Sequence, residues 1–195
     1  MQGDETEVHD GYVLIDHVDP NKGIREVLDR LFEDNPTTVR FVAQFAGPFI
    51  GFVAMTVSDL GEVHALADGP FWEAGLRCET LLVIKRSNLE IPKRGSPDVC
   101  AMVRAAADDP DVALDALDET FGPRQDDAKK FPYEDRVFNY GAAIVNGRFD
   151  LLIDLGAPNY GDTVGLVREV RSIPGIRKTV TAFAHLPGNA RRRDI

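Results

Sequence analysis

An internal duplication constrains the fold of this chain more than any other feature. Gly47 precedes Phe49 by two residues, and Gly147 precedes Phe149 in the same way 100 positions later. Residues 75–77 read Gly-Leu-Arg, and residues 175–177 read Gly-Ile-Arg at the same spacing. Glycines that recur at one spacing are typical of a repeated structural unit. The sequence therefore predicts two copies of one unit, in residues 10–90 and 97–188.

The first copy predicts a strand, a helix, two strands, a helix and a final strand. An apolar run at 12–15 indicates the first strand, and Ile24, Val27, Leu28 and Leu31 have the spacing of an amphipathic helix. Residues 38–46 and 49–57 are typical of strands, and 77–85 predicts the last one. This βαββαβ order is the ferredoxin-like plan.

The second copy repeats the plan with one insertion. Its first helix matches copy one at an offset of 90 residues and its later elements at 100, so about ten residues are added between them. The polar stretch 125–133 is predicted to be this insertion and to form a surface loop. Asp162 is the predicted cap of the last helix, and 189–195 is predicted to be a basic tail.

The predicted fold class is α+β. Each βαββαβ sheet has helices on one face only, so its apolar opposite face needs a covering layer. Two such faces in one chain can cover each other about a pseudo-twofold axis. The sequence therefore predicts tandem ferredoxin-like repeats packed sheet to sheet, as an intramolecular dimeric α/β barrel.

Composition narrows the classes of partner. The net charge of −10 and the pI of about 4.8 argue against direct binding of nucleic acid or of anionic membranes. Cys78 and Cys100 set no disulfide framework, and no apolar run is long enough to span a membrane. The acidic start of the chain is unlike a leader peptide, so a cytoplasmic location is predicted.

The search for chemical motifs predicts no catalytic residue, no metal site and no cofactor. His17 lies near two aspartates, where a solvated turn is the simpler interpretation, and His185 at a strand end could ligate haem in some α/β-barrel enzymes. Asp150 and Asp154 are four residues apart on a predicted strand and so would face the same way. Acid–base chemistry and a structural role both remain open for this pair.

The segments 11–15, 42–49 and 143–153, with the Ile-Pro-Gly-Ile-Arg-Lys-Thr run at 173–179, resemble the effector-binding domain of Lrp/AsnC (feast/famine) transcription regulators. The resemblance covers two tandem copies without a helix-turn-helix, so direct DNA binding is not implied. It implies a dimeric α/β barrel that binds a small molecule near the Gly-x-Phe-Asp turn. The ligand-binding residues it implies are Gly147, Phe149, Asp150, Thr179 and Thr181.

The leading hypothesis from the sequence is a non-enzymatic sensing or regulatory module for an amino-acid-like small molecule, acting in transcription regulation through a partner. The partners implied are a small-molecule effector and either a second copy of the chain or a DNA-binding protein. One alternative is an enzyme on a dimeric α/β-barrel fold, either monooxygenase-like or haem-binding. A tandem ACT-type amino-acid sensor is another, since it shares the βαββαβ order.

Overall fold

A computed structural model describes residues 9–16, 23–72, 75–89, 97–130, 139–186 and 189–193. The elements of the first half are β1 (His9–Asp16), α1 (Ile24–Asp34), β2 (Val39–Gln44), β3 (Phe49–Val57), α2 (Leu60–Leu66), a π-helical turn (Ala67–Phe71) and β4 (Cys78–Arg86). The remaining elements are β5 (Val99–Ala107), α3 (Pro110–Lys130), β6 (Asn139–Val145), β7 (Leu151–Ala157), α4 (Tyr160–Ser172), β8 (Ile176–His185) and β9 (Ala190–Arg192).

The chain divides into two compact units. The first comprises Met1–Gln44, Phe49–Val83 and Ala190–Ile195, and the second comprises Phe45–Pro48 and Ile84–Asn189. The predicted domains, 10–90 and 97–188, are each one continuous segment, whereas both units are assembled from separate segments. The predicted boundaries stay a prediction.

In the first unit, β1 lies between β3 and β4, β2 pairs with β3, and β9 pairs with β2, all antiparallel. One face of these strands packs against α1 and α2. The apolar residues of α1 recur at helical spacing, so they lie on one side of the helix and can face the sheet. The cluster includes Val13, Val53, Ile24, Leu28 and Val63. Its members are all apolar.

In the second unit, β5 lies between β7 and β8, and β6 pairs with β7, all antiparallel. Alternate residues of these strands pack against α3 and α4 in one buried cluster that includes Val103, Ile153, Leu117 and Val167. Tyr140 is also buried there; its hydroxyl donates a hydrogen bond to Asp118 (2.7 Å), and its ring stacks on Phe121.

The short segment Phe45–Pro48 completes the second unit. Ala46 exchanges backbone hydrogen bonds of 2.7 and 2.9 Å with Phe183 on β8. Gly47 has φ of 140°, and a Cβ atom there would lie 3.0 Å from the Ala182 Cα atom. Glycine is therefore required at this position both by the backbone angle and by the close approach.

The predicted fold class is wrong. The described strands form a nine-stranded antiparallel sheet, in the order β8-β5-β7-β6-β4-β1-β3-β2-β9, with four α-helices. They do not form tandem βαββαβ repeats packed sheet to sheet as a barrel. Hydrophobic alternation identifies which residues are strands and which face is buried, but it carries no information about which strand edges pair. The predicted strand arrangement was wrong for this reason.

Three local predictions also need correction. The stretch 125–133 is not a loop from its start, because α3 continues to Lys130; residues 131–133 lie outside the described part of the chain. The cap of α4 is Asn159, whose side chain accepts a hydrogen bond from the Asp162 backbone N–H. The basic tail contains β9, and its Arg191 forms ion pairs with Asp29 and Glu33 on α1.

Among the described residues, no helix combines the length and the apolar composition that crossing a membrane requires.

Candidate functional site

The second unit carries a buried charge on one face of its sheet. Along β5, Val103 and Ala105 belong to the core under the helices, so Met102 and Arg104 project from the opposite face. We call this the helix-free face and define it by residues of three strands: Cys100, Met102 and Arg104 on β5, Leu152 and Asp154 on β7, and Val180 and Ala182 on β8.

Arg104 is the central residue of the helix-free face. It lies directly opposite Leu152 on β7 and Val180 on β8, and only 7% of its surface is exposed. Burial of a guanidinium has a large desolvation cost. A charge in such a place is therefore a candidate for binding an anion.

Two cations approach the ring of Phe149, which lies in the bend between β6 and β7. The Arg104 Cζ atom is 5.0 Å from the ring centroid, and the Lys178 Nζ atom is 5.9 Å from it. Lys178 pairs with Ala106 on β5 and so projects from the same face as Arg104, but it is exposed. One of the two positive side chains, Arg104, is therefore buried, and the other, Lys178, is exposed to solvent. They lie on the same face although the chain as a whole has a net charge of −10.

Asp150 fixes this bend to β5. Its Oδ2 atom accepts a hydrogen bond from the Ala107 N–H (2.9 Å), and its own N–H donates to the Ala105 carbonyl (3.1 Å). Its carbonyl accepts from the Val145 N–H (3.0 Å). Asp150 precedes β7, so the strand that was expected to carry both Asp150 and Asp154 carries Asp154 alone. The carboxylate of Asp150 accepts a backbone hydrogen bond and so has a structural role.

Asp154 is the second charge on the helix-free face. It lies opposite Met102, and one of its carboxylate oxygens accepts a hydrogen bond from the Asn139 side-chain amide (3.1 Å). Burial, with a smaller contribution from Asp154, raises the pKa of the Cys100 thiol well above its ordinary value. Cys100 therefore stays protonated at neutral pH and is no nucleophile.

The ligand-binding residues expected from the sequence are divided between two places. The Phe149 ring lies beside Arg104, and Asp150 and the exposed Gly147 belong to the same bend. Thr179 and Thr181 pair with Ala105 and Val103, and so project toward the helices. The Thr179 hydroxyl accepts a hydrogen bond from Arg171 of α4.

Thr181 differs from Thr179 in its hydrogen bonding. Its hydroxyl oxygen is buried and has no hydrogen-bond partner in the described part of the chain. The threonines and the bend therefore do not converge on one site. As a ligand-binding set, the five residues stay a prediction.

None of the three described histidines is buried. His9 is partly exposed at the start of β1, and His185 is exposed at the end of β8. His64 is exposed, and its Nδ1 atom lies 3.0 Å from the Thr80 hydroxyl. Within the described ranges, no group of three or more His, Cys, Asp or Glu side chains could hold a metal ion. His17 lies outside the described residues.

Solved structures of other proteins have a similar fold. A proposed monooxygenase from Lactobacillus acidophilus is 7% identical, with a TM-score of 0.54 over 96% of this chain and 99% of that one. A chlorite dismutase mutant from Candidatus Nitrospira defluvii is 12% identical, with a TM-score of 0.55 over 91% and 90%. The fold resembles theirs. Chlorite dismutase from the same organism in complex with imidazole gives 13% identity and a TM-score of 0.54, over 91% of this chain and 90% of that one.

At these identities the likeness shows the fold alone. No family model matches the sequence, and no curated protein matches it. The comparisons correct the resemblance drawn from the sequence, because the structural neighbours are monooxygenase-like and chlorite dismutase-like folds. Assignment to the effector-binding domain of Lrp/AsnC transcription regulators is wrong. The Gly-x-Phe-Asp turn that suggested it is a short motif, and here it marks a bend anchored by Asp150.

Sequence reasoning missed Arg104 and Lys178. The signal for Arg104 was present, because it is the single charge in the apolar strand at 99–107 and the first copy has Leu14 at the matching offset of 90. A charge replacing an apolar residue in a repeated strand is what a binding function would add. Lys178 gave no comparable signal, since lysine is ordinary near the start of an exposed strand.

Proposed function

We propose that the second unit binds a small organic anion on its helix-free face, and that the chain is an enzyme of monooxygenase-like chemistry acting on it. The observation that carries the proposal is the buried Arg104 guanidinium, placed opposite Leu152 and Val180 and beside the Phe149 ring. The fold likeness to a proposed monooxygenase supports the class of chemistry.

Arg104 would supply both binding and activation. A guanidinium presents several N–H donors that match the oxygens of a carboxylate or phenolate. An adjacent positive charge favours the ionised form of an acidic substrate. A monooxygenase places one atom of dioxygen in its product and reduces the other to water, so electrons must be withdrawn from the substrate or an added reductant. An anion releases electrons more readily than its neutral acid does.

Haem is the cofactor to test against this fold, because a haem-binding enzyme was among the alternatives from the sequence. Haem iron in proteins is held by an axial side chain such as histidine inside an enclosed pocket. The described histidines, His9, His64 and His185, are all partly or fully exposed. The described histidines therefore offer haem no buried axial ligand, and we derive no step through it. Titration with haemin should give no saturable Soret shift.

Oxygen uptake tests the proposal. Purified protein is placed in an oxygen electrode with benzoate, 4-hydroxybenzoate, catechol and aliphatic acids, with and without NADH as reductant. We expect protein-dependent uptake with at least one anionic compound, and its loss in Arg104→Leu. The matched control is Arg168→Leu, which removes the same charge from an exposed position on α4. Uptake unchanged in Arg104→Leu, or absent with every compound, would overturn the enzymatic proposal.

A further inference from the structure

The hydrogen bonds of Asp150 assign it a role that differs from catalysis and from direct ligand binding. We infer that Asp150 is a positioning residue, which fixes the Phe149 ring over Arg104 and thereby orients the guanidinium toward its anion. The effect on ligand affinity rests on the proposed function. The positioning itself is independent of any ligand and can be measured without one.

The first step is that the bend is fixed through one residue. Asp150 uses its N–H, its carbonyl and its side chain to bond Ala105, Val145 and Ala107, at 3.1, 3.0 and 2.9 Å. These partners belong to β5 and β6, which flank β7 in the second unit. The side-chain bond is the one that a substitution can remove without changing the backbone.

The second step is that the residue before Asp150 contacts the buried cation. Phe149 adjoins Asp150 in the chain, and its ring lies 5.0 Å from the Arg104 Cζ atom. A cation over an aromatic face is attracted to it, and the attraction restricts the side chain. Restricting a long side chain in its binding orientation lowers the entropy lost when a ligand is bound.

The third step is that charge and positioning have opposite consequences. Asp150 carries a carboxylate, and its N–H bonds the carbonyl of Ala105, the residue after Arg104, so its charge alone would oppose the binding of another anion nearby. If only charge mattered, both Asp150→Ala and Asp150→Asn would bind anions more tightly than the wild type. If positioning matters, Asp150→Ala binds more weakly, while Asp150→Asn retains an acceptor oxygen for the Ala107 N–H.

The ligand-free test is side-chain NMR of the arginine Nε–H groups. A proton near the face of an aromatic ring is shifted upfield, so the Arg104 Hε signal, assigned by its loss in Arg104→Leu, should move downfield in Phe149→Leu. We expect Asp150→Ala to move it in the same direction and Asp150→Asn to leave it close to the wild-type position. An Arg104 signal unchanged in Asp150→Ala would overturn the inference, even if Arg104 binds anions.

The ligand test is the affinity for benzoate, measured by calorimetry on the intact chain. We expect Asp150→Ala to weaken binding by about threefold to tenfold, and Asp150→Asn to bind at least as tightly as the wild type. The matched control is Asp59→Ala in the first unit, which removes a carboxylate that also accepts a backbone hydrogen bond, from Glu62 N–H (3.1 Å).

The outcomes separate the two claims. Tighter benzoate binding by Asp150→Ala overturns the positioning role and leaves the anion site in place. Absence of benzoate binding by the wild type counts against the proposed function, and the NMR comparison then decides the positioning role alone.

Discussion

The helix-free face of the second unit and the matching face of the first unit are built on the same succession of strands but differ in chemistry. Leu14 on β1 corresponds to Arg104 on β5, and Phe52, which lies opposite Leu14, corresponds to Leu152, which lies opposite Arg104. Leu14 is 0% exposed and Arg104 is 7% exposed. The same buried position therefore holds an apolar side chain in one unit and a cation in the other.

The two aspartates at 150 and 154 likewise have no counterpart in the first unit. Ile50 and Ala54 occupy the matching positions, 100 residues before Asp150 and Asp154. On its own face the first unit has an aromatic group instead, with ring centroids of Tyr12 and Phe52 5.2 Å apart. A strand of this plan thus folds without the charges, as expected if Arg104 serves binding rather than folding.

The largest effect on stability is expected when the buried leucine of the first unit is replaced by the arginine found at the matching position of the second. Leu14→Arg places a guanidinium among apolar side chains such as Phe52 without an acidic partner introduced for it. An uncompensated buried charge costs roughly 3–5 kcal/mol, so the variant should be strongly destabilised or fail to fold.

Urea denaturation followed by circular dichroism measures this loss. Leu14→Met is the control, since a swap of similar volume should cost less than about 1.5 kcal/mol. Equal stability of Leu14→Arg and Leu14→Met would show that this face tolerates a charge, and the contrast with Arg104 would lose its meaning.

A smaller effect is expected at Tyr140, which gives the core of the second unit a buried hydroxyl. Tyr140→Phe removes the hydrogen bond to the Asp118 carboxylate, and bonds to charged groups are worth about 1.5–3 kcal/mol. Urea denaturation should show a loss in that range. Asp118→Asn, which keeps an acceptor oxygen, should lose less; a larger loss in Asp118→Asn would contradict this account of the bond.

The same tyrosine should make the stability depend on alkaline pH. Burial, and then the bond to Asp118, raise the pKa of Tyr140 well above its ordinary value. In the unfolded chain tyrosine ionises near pH 10, so its contribution is fully present below about pH 10 and is lost as pH rises above it. Stability measured from pH 8 to 11 should fall more steeply for the wild type than for Tyr140→Phe. Parallel curves would refute this.

The smallest effect is a difference in reactivity between the two thiols, one in each unit. Burial raises the pKa of both, but Cys78 is only partly buried whereas Cys100 is buried. The thiolate is the reactive form, so Cys78 should react slowly with a thiol reagent and Cys100 only on unfolding. Mass spectrometry of the labelled protein locates the modified residue, and Cys78→Ser is the control. Fast native labelling of Cys100 would contradict its burial.

The sequence was sufficient for much of the local structure. Helical spacing from Ile24 to Leu31 located α1, and the apolar runs at 38–46 and 49–57 located β2 and β3. These features depend on neighbours along the chain.

The sheet order and the site could not be obtained in this way. Pairing of strand edges depends on contacts far apart in the chain, such as Ala46 with Phe183 or β9 with β2. The role of Asp150 depends on the Ala107 N–H, 43 residues away, whose position the sequence does not reveal. Only Arg104 could have been found, by comparing each copy with the other and asking where a charge replaces an apolar residue.

The central claim is that the second unit binds a small organic anion through Arg104. Isothermal titration of benzoate, 4-hydroxybenzoate and acetate into the wild type, Arg104→Leu and Arg168→Leu tests it most directly. We expect the wild type and Arg168→Leu to bind at least one of these anions saturably, and Arg104→Leu to bind it at least tenfold more weakly while remaining folded. Equal affinity in the wild type and Arg104→Leu would contradict the account.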